Sequence, residues 1–255
     1  MNREILRLKN LNSGYADKLI LKNISFSVNE GDFISIIGPN GCGKTTLLRS
    51  ISSELTPESG EIELYGKNLK NCTPGERSRL ISFVFSINSK LPDYTIEQFL
   101  QLHTFPYDVP FLFKNDEKKI SDAVKICGIK NSITSSIRNL SSGEFQLVQL
   151  AGACIQNSRF IILDEPVSHL DPRNAQLIMS LLRKLNASGT TIITVLHDLN
   201  IALNLPGRIL GIRKGRVYFY ENAAEIYNKK LTDKLYDIEF TYYRKNNRYF
   251  CLNSY

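Results

Sequence analysis

Residues 38–45 read Gly-Pro-Asn-Gly-Cys-Gly-Lys-Thr, and this stretch constrains the fold more tightly than any other in the chain. It fits G-x-x-x-x-G-K-[ST], a pattern whose meaning depends on what flanks it. Before it, Phe33-Ile-Ser-Ile-Ile37 is apolar and β-branched and predicts a buried strand. After it, residues 45–54 predict a helix. Strand, glycine loop and helix together make a cradle for anionic oxygens. Glycine lets backbone N–H groups approach closely, and the helix N-terminus adds its dipole. In such a cradle Gly38, Pro39, Asn40, Gly41, Cys42 and Gly43 surround a phosphate chain and Thr46 continues the helix start. Lys44 would neutralise the β- and γ-phosphates, and the Thr45 hydroxyl would hold Mg²⁺. The motif alone says nucleotide and no more.

Composition narrows the class. With 42% hydrophobic and 22% charged residues, the 255-residue chain has the make-up of an ordinary globular protein and can bury one large core or two small ones. No apolar run reaches the roughly 18 residues of a membrane helix. The N-terminal Met-Asn-Arg-Glu-Ile-Leu-Arg-Leu-Lys-Asn carries charges where a signal peptide needs an apolar block, so a cytosolic protein is expected. The five cysteines (42, 72, 127, 154 and 251) are odd in number and form no C-x-x-C pair, which argues against zinc and against a disulfide framework. A net charge of +7 is compatible with nucleic acid, anionic lipid or an anionic ligand; dispersal of the basic residues along the chain weighs against nucleic acid.

Apolar runs at 20–21 and 24–28 predict antiparallel strands around Gly14 and Gly31. Further strands are predicted at 60–65, 81–85, 159–163 and 191–196. From Thr95 to about Gln156 the pattern is helical, and 175–185 is helical again. The alternation predicts an α/β core with a helical insertion.

Three further stretches carry chemistry. Phe160-Ile-Ile-Leu-Asp-Glu165 is an apolar strand ending in two acids. By itself Asp-Glu after a strand is a helix cap or a solvated turn. Downstream of a phosphate loop, Asp164 is placed to hold the Mg²⁺ shell and Glu165 to act as general base on the attacking water. Thr191-Ile-Ile-Thr-Val-Leu-His197 repeats the arrangement, with His197 at the strand end either as a polar tip or bonded to the γ-phosphate. Leu140-Ser-Ser-Gly-Glu144 precedes a helix and reads as a cap or as a backbone anion site.

Together these stretches resemble the ATP-binding cassette (ABC) ATPase family. Gly38–Thr45 is similar to its phosphate loop and Leu140–Glu144 to its signature. Asp164-Glu165 is similar to its Walker B end, Ser168-His-Leu-Asp171 to its D-loop and His197 to its switch histidine. Tyr15 is similar to the aromatic that stacks on adenine. The resemblance implies a P-loop NTPase (RecA-like) core with an antiparallel β subdomain and a helical signature-motif subdomain. One ABC ATPase domain would span 1–255: core and antiparallel β over 1–86 and 157–222, helical subdomain over about 87–156, and a helix and hairpin tail over 223–255. It also implies ATP and Mg²⁺ as ligands and a head-to-tail homodimer. There Ser141, Ser142, Gly143, Glu144 and Asp171 complete the partner's ATP site.

Some positions depart from the family. Its Q-loop glutamine falls on Ser86, whose shorter hydroxyl would meet the metal through a water; Asn88 is the nearest substitute. Ser142 replaces the commoner glycine and Leu147 a common arginine. The chain has one nucleotide motif and no coiled-coil insertion, so it most resembles the ATPase subunit of a bacterial importer. Such a subunit lies peripherally on the cytoplasmic face of the membrane beside permease subunits, served indirectly by a substrate-binding protein. Residues 40–49 and His197-Asp-Leu-Asn200 resemble subunits for iron–siderophore, haem or cobalamin uptake. A metal-ion importer and a cytosolic iron–sulfur assembly ATPase without a permease are the alternatives. The aromatic and basic run 242–250 would suit base stacking. Apolar flanks at 238–243 and 249–252 around Arg244-Lys-Asn-Asn247 predict a terminal hairpin instead, and no nucleic-acid partner is expected.

Overall fold

The computed structural model describes residues 3–16, 18–85, 92–104 and 114–253. The chain divides into two units, Met1–Cys72 with Thr191–Tyr255, and Thr73–Thr190. Ser86 and Asn88 lie outside the described residues.

The first unit opens with β1 (Glu4–Tyr15) and β2 (Lys18–Asn29), paired antiparallel. Leu21, Ile24, Phe26 and Val28 of β2 point inward with Ile5, Leu6, Leu8 and Leu11 of β1. β3 (Phe33–Ile37) follows and is buried throughout, as its unbroken apolar run requires. α1 (Lys44–Ile51) starts at the end of the glycine loop. It stops three residues short of the predicted end because Ser53 adopts a left-handed φ of 62°. β4 (Ser59–Leu64) and β5 (Lys67–Asn68) complete an antiparallel sheet of order β2-β1-β4-β5.

The second unit begins with α2 (Pro74–Leu80), which buries none of its residues and so leaves no apolar periodicity to read in the sequence. β6 (Ser82–Val84) pairs in parallel with β7 (Phe160–Asp164). Between them the predicted helical block resolves into α3 (Ile96–Gln101), α4 (Lys114–Cys127) and α5 (Ser142–Ile155). α4 ends at Gly128, whose φ of 67° breaks the helix. α6 (Pro172–Ala187) starts three residues before the predicted 175, set by the Asp171 cap and Pro172 in the first turn.

The chain then returns to the first unit through β8 (Thr191–Val195), α7 (Leu199–Leu203), β9 (Arg208–Arg213) and β10 (Arg216–Glu221). β3 is paired in parallel with β8 on one side and β9 on the other, and β10 runs antiparallel to β9. The tail consists of α8 (Ala223–Lys229), α9 (Leu231–Tyr236), β11 (Phe240–Lys245) and β12 (Arg248–Asn253). β11 and β12 form the expected hairpin, but the four-residue turn shrinks to Asn246-Asn247. Both have positive φ (50° and 58°), and Arg244 and Lys245 join the strand. Among the described residues no helix is long and apolar enough to cross a membrane.

Candidate nucleotide site

In the first unit the glycine loop leaves β3 and enters α1. Gly38 is buried, and a Cβ there would run into the carbonyl oxygen of Ile212 on β9, so only glycine fits. Gly43 caps α1 at a φ of 114°, and a Cβ there would lie 2.6 Å from Leu21 Cδ2. Pro39 is half-buried, while Asn40 and Gly41 are exposed at the tip. Gly215 N–H donates to the Cys42 carbonyl at 3.1 Å. Cys42 is itself buried, which pushes its thiol pKa up.

Lys44 is 94% buried, with 6% of its surface exposed. Its ammonium donates to the carbonyls of Gly38 at 2.7 Å and Pro39 at 3.2 Å. The loop thus holds its own cation in place. The first turn of α1 has no side-chain cap and no acid among the described residues. Its leading N–H groups lack intrahelical partners and its dipole favours negative charge. A buried ammonium beside such a helix start binds phosphate oxygens well. Thr45 is exposed at that start and Thr46 is buried.

Tyr15 ends β1 with 43% of its surface exposed, and Arg49 Nη1 donates to its hydroxyl at 3.3 Å. His197 leaves β8 beside the point where the loop leaves β3. Ile36 is level with Val195, and Leu196 N–H donates to Ile36 O at 3.0 Å. His197 is exposed, and Asp198 after it caps α7 through bonds from Asn200 N and Ile201 N. The first unit therefore brings together the loop, Lys44, Thr45, Tyr15 and His197.

In the second unit Ser141 caps α5 in a capping box with Glu144. The Glu144 carboxylate accepts from Ser141 N–H and Oγ–H, both at 2.8 Å, and from Asn131. These donors hold the Glu144 pKa below its ordinary value, the Ser141 backbone most strongly. Ser142 is exposed and Gly143 buried. Asp164 ends β7 with 7% of its surface exposed. Glu165 follows at a left-handed φ of 52°, a conformation that costs energy for a residue with a Cβ. Ser168 Oγ–H donates to its carboxylate at 3.1 Å. Asp171 caps α6, accepting from the Arg173 and Asn174 N–H groups and from the Asn174 amide, and its pKa is lowered mainly by the Asn174 backbone bond.

Sequence reasoning missed three residues. Asn174 donates to Asp171 and lies where a Cβ on residue 143 would reach. Gln149, buried on α5, donates to the Phe85 carbonyl at 3.0 Å, the last described residue before Ser86. Tyr236 takes the Gly38 N–H. Asn174 lies three residues after a recognisable cap, a signal that could have been read; the other two have no local signal.

The family model described as ABC transporter matches residues 21–168, more than half of the chain and including the phosphate loop, the cap at Ser141 and the Asp164-Glu165 strand end. The chain belongs to the ABC transporter family. This cassette is an ABC-type ATPase with the P-loop NTPase fold that the family shares. Ferric enterobactin transport ATP-binding protein FepC of Escherichia coli is 30% identical over 91% of this chain and 87% of its own length. Phosphonates import ATP-binding protein PhnC of Fusobacterium nucleatum is 34% identical over 87% of this chain and 94% of its own length. The dimeric post-hydrolysis structure of the ATP-binding cassette MJ0796, bound to ADP and Pi, matches with a TM-score of 0.77 and 29% identity over 86% of this chain and 99% of that one.

Proposed function

We propose that this ATPase drives import of a metal chelate of the iron–siderophore, haem or cobalamin type. In this reading it works as a head-to-tail dimer on the cytoplasmic face of the membrane, beside separate permease subunits. The observation that carries the cargo is the match to FepC along 91% of the chain. The stretches 40–49 and 197–200 agree with it, and the MJ0796 dimer supports the pairing of two cassettes.

In this reading Lys44 and the α1 N-terminus bind the β- and γ-phosphates and Tyr15 stacks on adenine. Ser141, Ser142 and Gly143 face the partner's nucleotide, while Glu144 and Asp171 hold the caps beside them. Glu165 takes a proton from water as the water oxygen bonds to the γ-phosphorus and the bond to the β-phosphate oxygen breaks. His197 orients that water and the γ-phosphate. Among the described residues no group of three or more His, Cys, Asp or Glu is arranged to cage a metal. Hard oxygens from Thr45 and Asp164 suit Mg²⁺, which commonly binds through one or two protein oxygens plus phosphates and waters. When bound, Mg²⁺ neutralises charge on the phosphate oxygens. Ser86 stands where a glutamine would position the water, so Ser86→Gln is expected to raise the ATPase rate.

Phosphonate import is the second reading, favoured by the 34% identity to PhnC. Deleting the gene in its host and measuring uptake of labelled ferric siderophore, haem, cobalamin and phosphonate separates the two. The proposal expects loss of uptake of one metal chelate, restored by the parental gene and not by Glu165→Gln. Unchanged uptake of all three chelates overturns it.

A further inference from the structure

The tail after β10 grips the first unit at two places that matter for the reaction. The hydroxyl of Tyr236, the last residue of α9, accepts the Gly38 N–H at 3.1 Å. Gly38 is the first residue of the phosphate loop, and its other side is closed by the Ile212 carbonyl. Burial raises the Tyr236 phenol to about 12, so it stays neutral and keeps its lone pair for that N–H. The next residue, Asp237, pairs with Arg213 at the end of β9, the strand beside β3.

The second grip is on α7 and on Asn204, which caps its C-terminus. Asn200 Oδ1 accepts from Cys251 N–H at 2.9 Å while its Nδ2 donates to Cys251 O at 3.3 Å. Asn204 does the same with Tyr249, accepting at 3.1 Å and donating at 2.8 Å. Four residues of helix rise about 6 Å and two residues of strand about 6.6 Å, so the two amides match alternate residues of β12. α7 thus satisfies the edge of β12 as a neighbouring strand would. α7 begins directly after the His197-Asp198 connection.

The two grips belong to one body. Asp233 Oδ1 on α9 accepts from Phe240 N–H at 3.1 Å and Tyr242 Oη–H at 2.7 Å, and Thr232 also bonds the Tyr242 hydroxyl. We propose that residues 222–253 form a strap that fixes the phosphate loop and the His197 connection relative to each other, with Tyr236 positioning the loop and Asn200 and Asn204 positioning His197. The inference does not depend on the cargo; it rests on reading residues 38–46 as the phosphate site and His197 as part of it.

Steady-state ATPase kinetics and binding of a non-hydrolysable ATP analogue on the full chain test it. Tyr236→Phe keeps the ring but removes the acceptor for Gly38 N–H. The expected result is an ATP KM and analogue Kd raised about fivefold, the net worth of one hydrogen bond, with kcat within about twofold of the parent. Asn200→Ala with Asn204→Ala is expected to lower kcat about tenfold while KM stays within about twofold, since misplacement of the histidine affects the chemical step. Asn200→Asp keeps the acceptor for Cys251 N–H and replaces the donor with a carboxylate oxygen that faces the Cys251 carbonyl. It carries the same kcat expectation at about threefold if the double variant does not fold. Lower melting temperatures with parental kcat and KM in Tyr236→Phe and the asparagine variants overturn the proposal. Lys44→Ala measured alongside keeps the readings apart: parental ATP affinity in that variant overturns the phosphate-site reading itself.

Discussion

Gly143 lies so close to Asn174 that a Cβ on residue 143 would come within 2.8 Å of the side-chain amide. The same amide donates to Asp171 at 2.6 Å, and Asp171 caps α6. One asparagine therefore bonds the start of α6 and leaves no room for a side chain at residue 143 of α5. Gly143→Ala is expected to push Asn174 off Asp171 and destabilise the protein by about 1–3 kcal/mol, despite the better helix propensity of alanine. In an Asn174→Ala background the added methyl has room, and the cost should fall by more than half. Urea denaturation of both single variants and the double variant measures the coupling; additive effects would show that the contact carries no strain.

Lys44, Glu165 and His197 should separate binding from chemistry. Lys44 is the buried cation of the loop, so Lys44→Ala is expected to weaken ATP binding by at least about a hundredfold in titration calorimetry. Glu165→Gln and His197→Ala should keep affinity within about threefold and lose hydrolysis by orders of magnitude. Light scattering of Glu165→Gln with Mg-ATP should show a dimer. His197→Ala turning over at the parental rate would remove that residue from the mechanism.

Ser35 and Thr194 are level with each other on β3 and β8, both buried, and their hydroxyls have no hydrogen-bond partner among the described residues. Thr194→Val keeps the shape and removes a desolvated hydroxyl. The expected gain is about 1 kcal/mol of stability, read as a higher denaturation midpoint at unchanged m-value. A loss of stability would mean the hydroxyl does have a partner.

The Glu144 carboxylate has a depressed pKa because the charged form accepts bonds from Ser141 and Asn131. A carboxylate whose folded pKa lies below its unfolded value stabilises the fold above the unfolded value and loses that contribution as pH falls through the folded one. The stability gap between the parent and Glu144→Gln should therefore be largest near neutral pH and shrink as pH drops below about 4. Thermal melts across that range check it; a constant gap would assign the effect to shape rather than charge.

The phosphate loop was legible because its requirements are local: a buried apolar run, glycines and a lysine at fixed spacing. The strands at 33–37, 160–164 and 191–195 were legible for the same reason. α2 was invisible because it buries nothing, and the premature end of α1 turns on one left-handed serine that composition does not mark. The supports of the candidate site were hidden for another reason. Gln149 reaches Phe85 across 64 residues and Tyr236 reaches Gly38 across 198, separations at which no sequence pattern operates.

Those long reaches affect how the protein is made. The loop takes its shape from Ile212, Gly215 and Tyr236, all near the far end of the chain. On a translating ribosome the residues of the phosphate motif emerge early, but the groups that mould them appear only when most of the polypeptide has been synthesised. A nascent chain ending before Tyr236 therefore has the motif without its full set of supports. On the roughly fivefold cost expected for the Tyr236 bond alone, such a chain is expected to bind ATP more weakly than the finished one, and its affinity to rise only as these last residues are added.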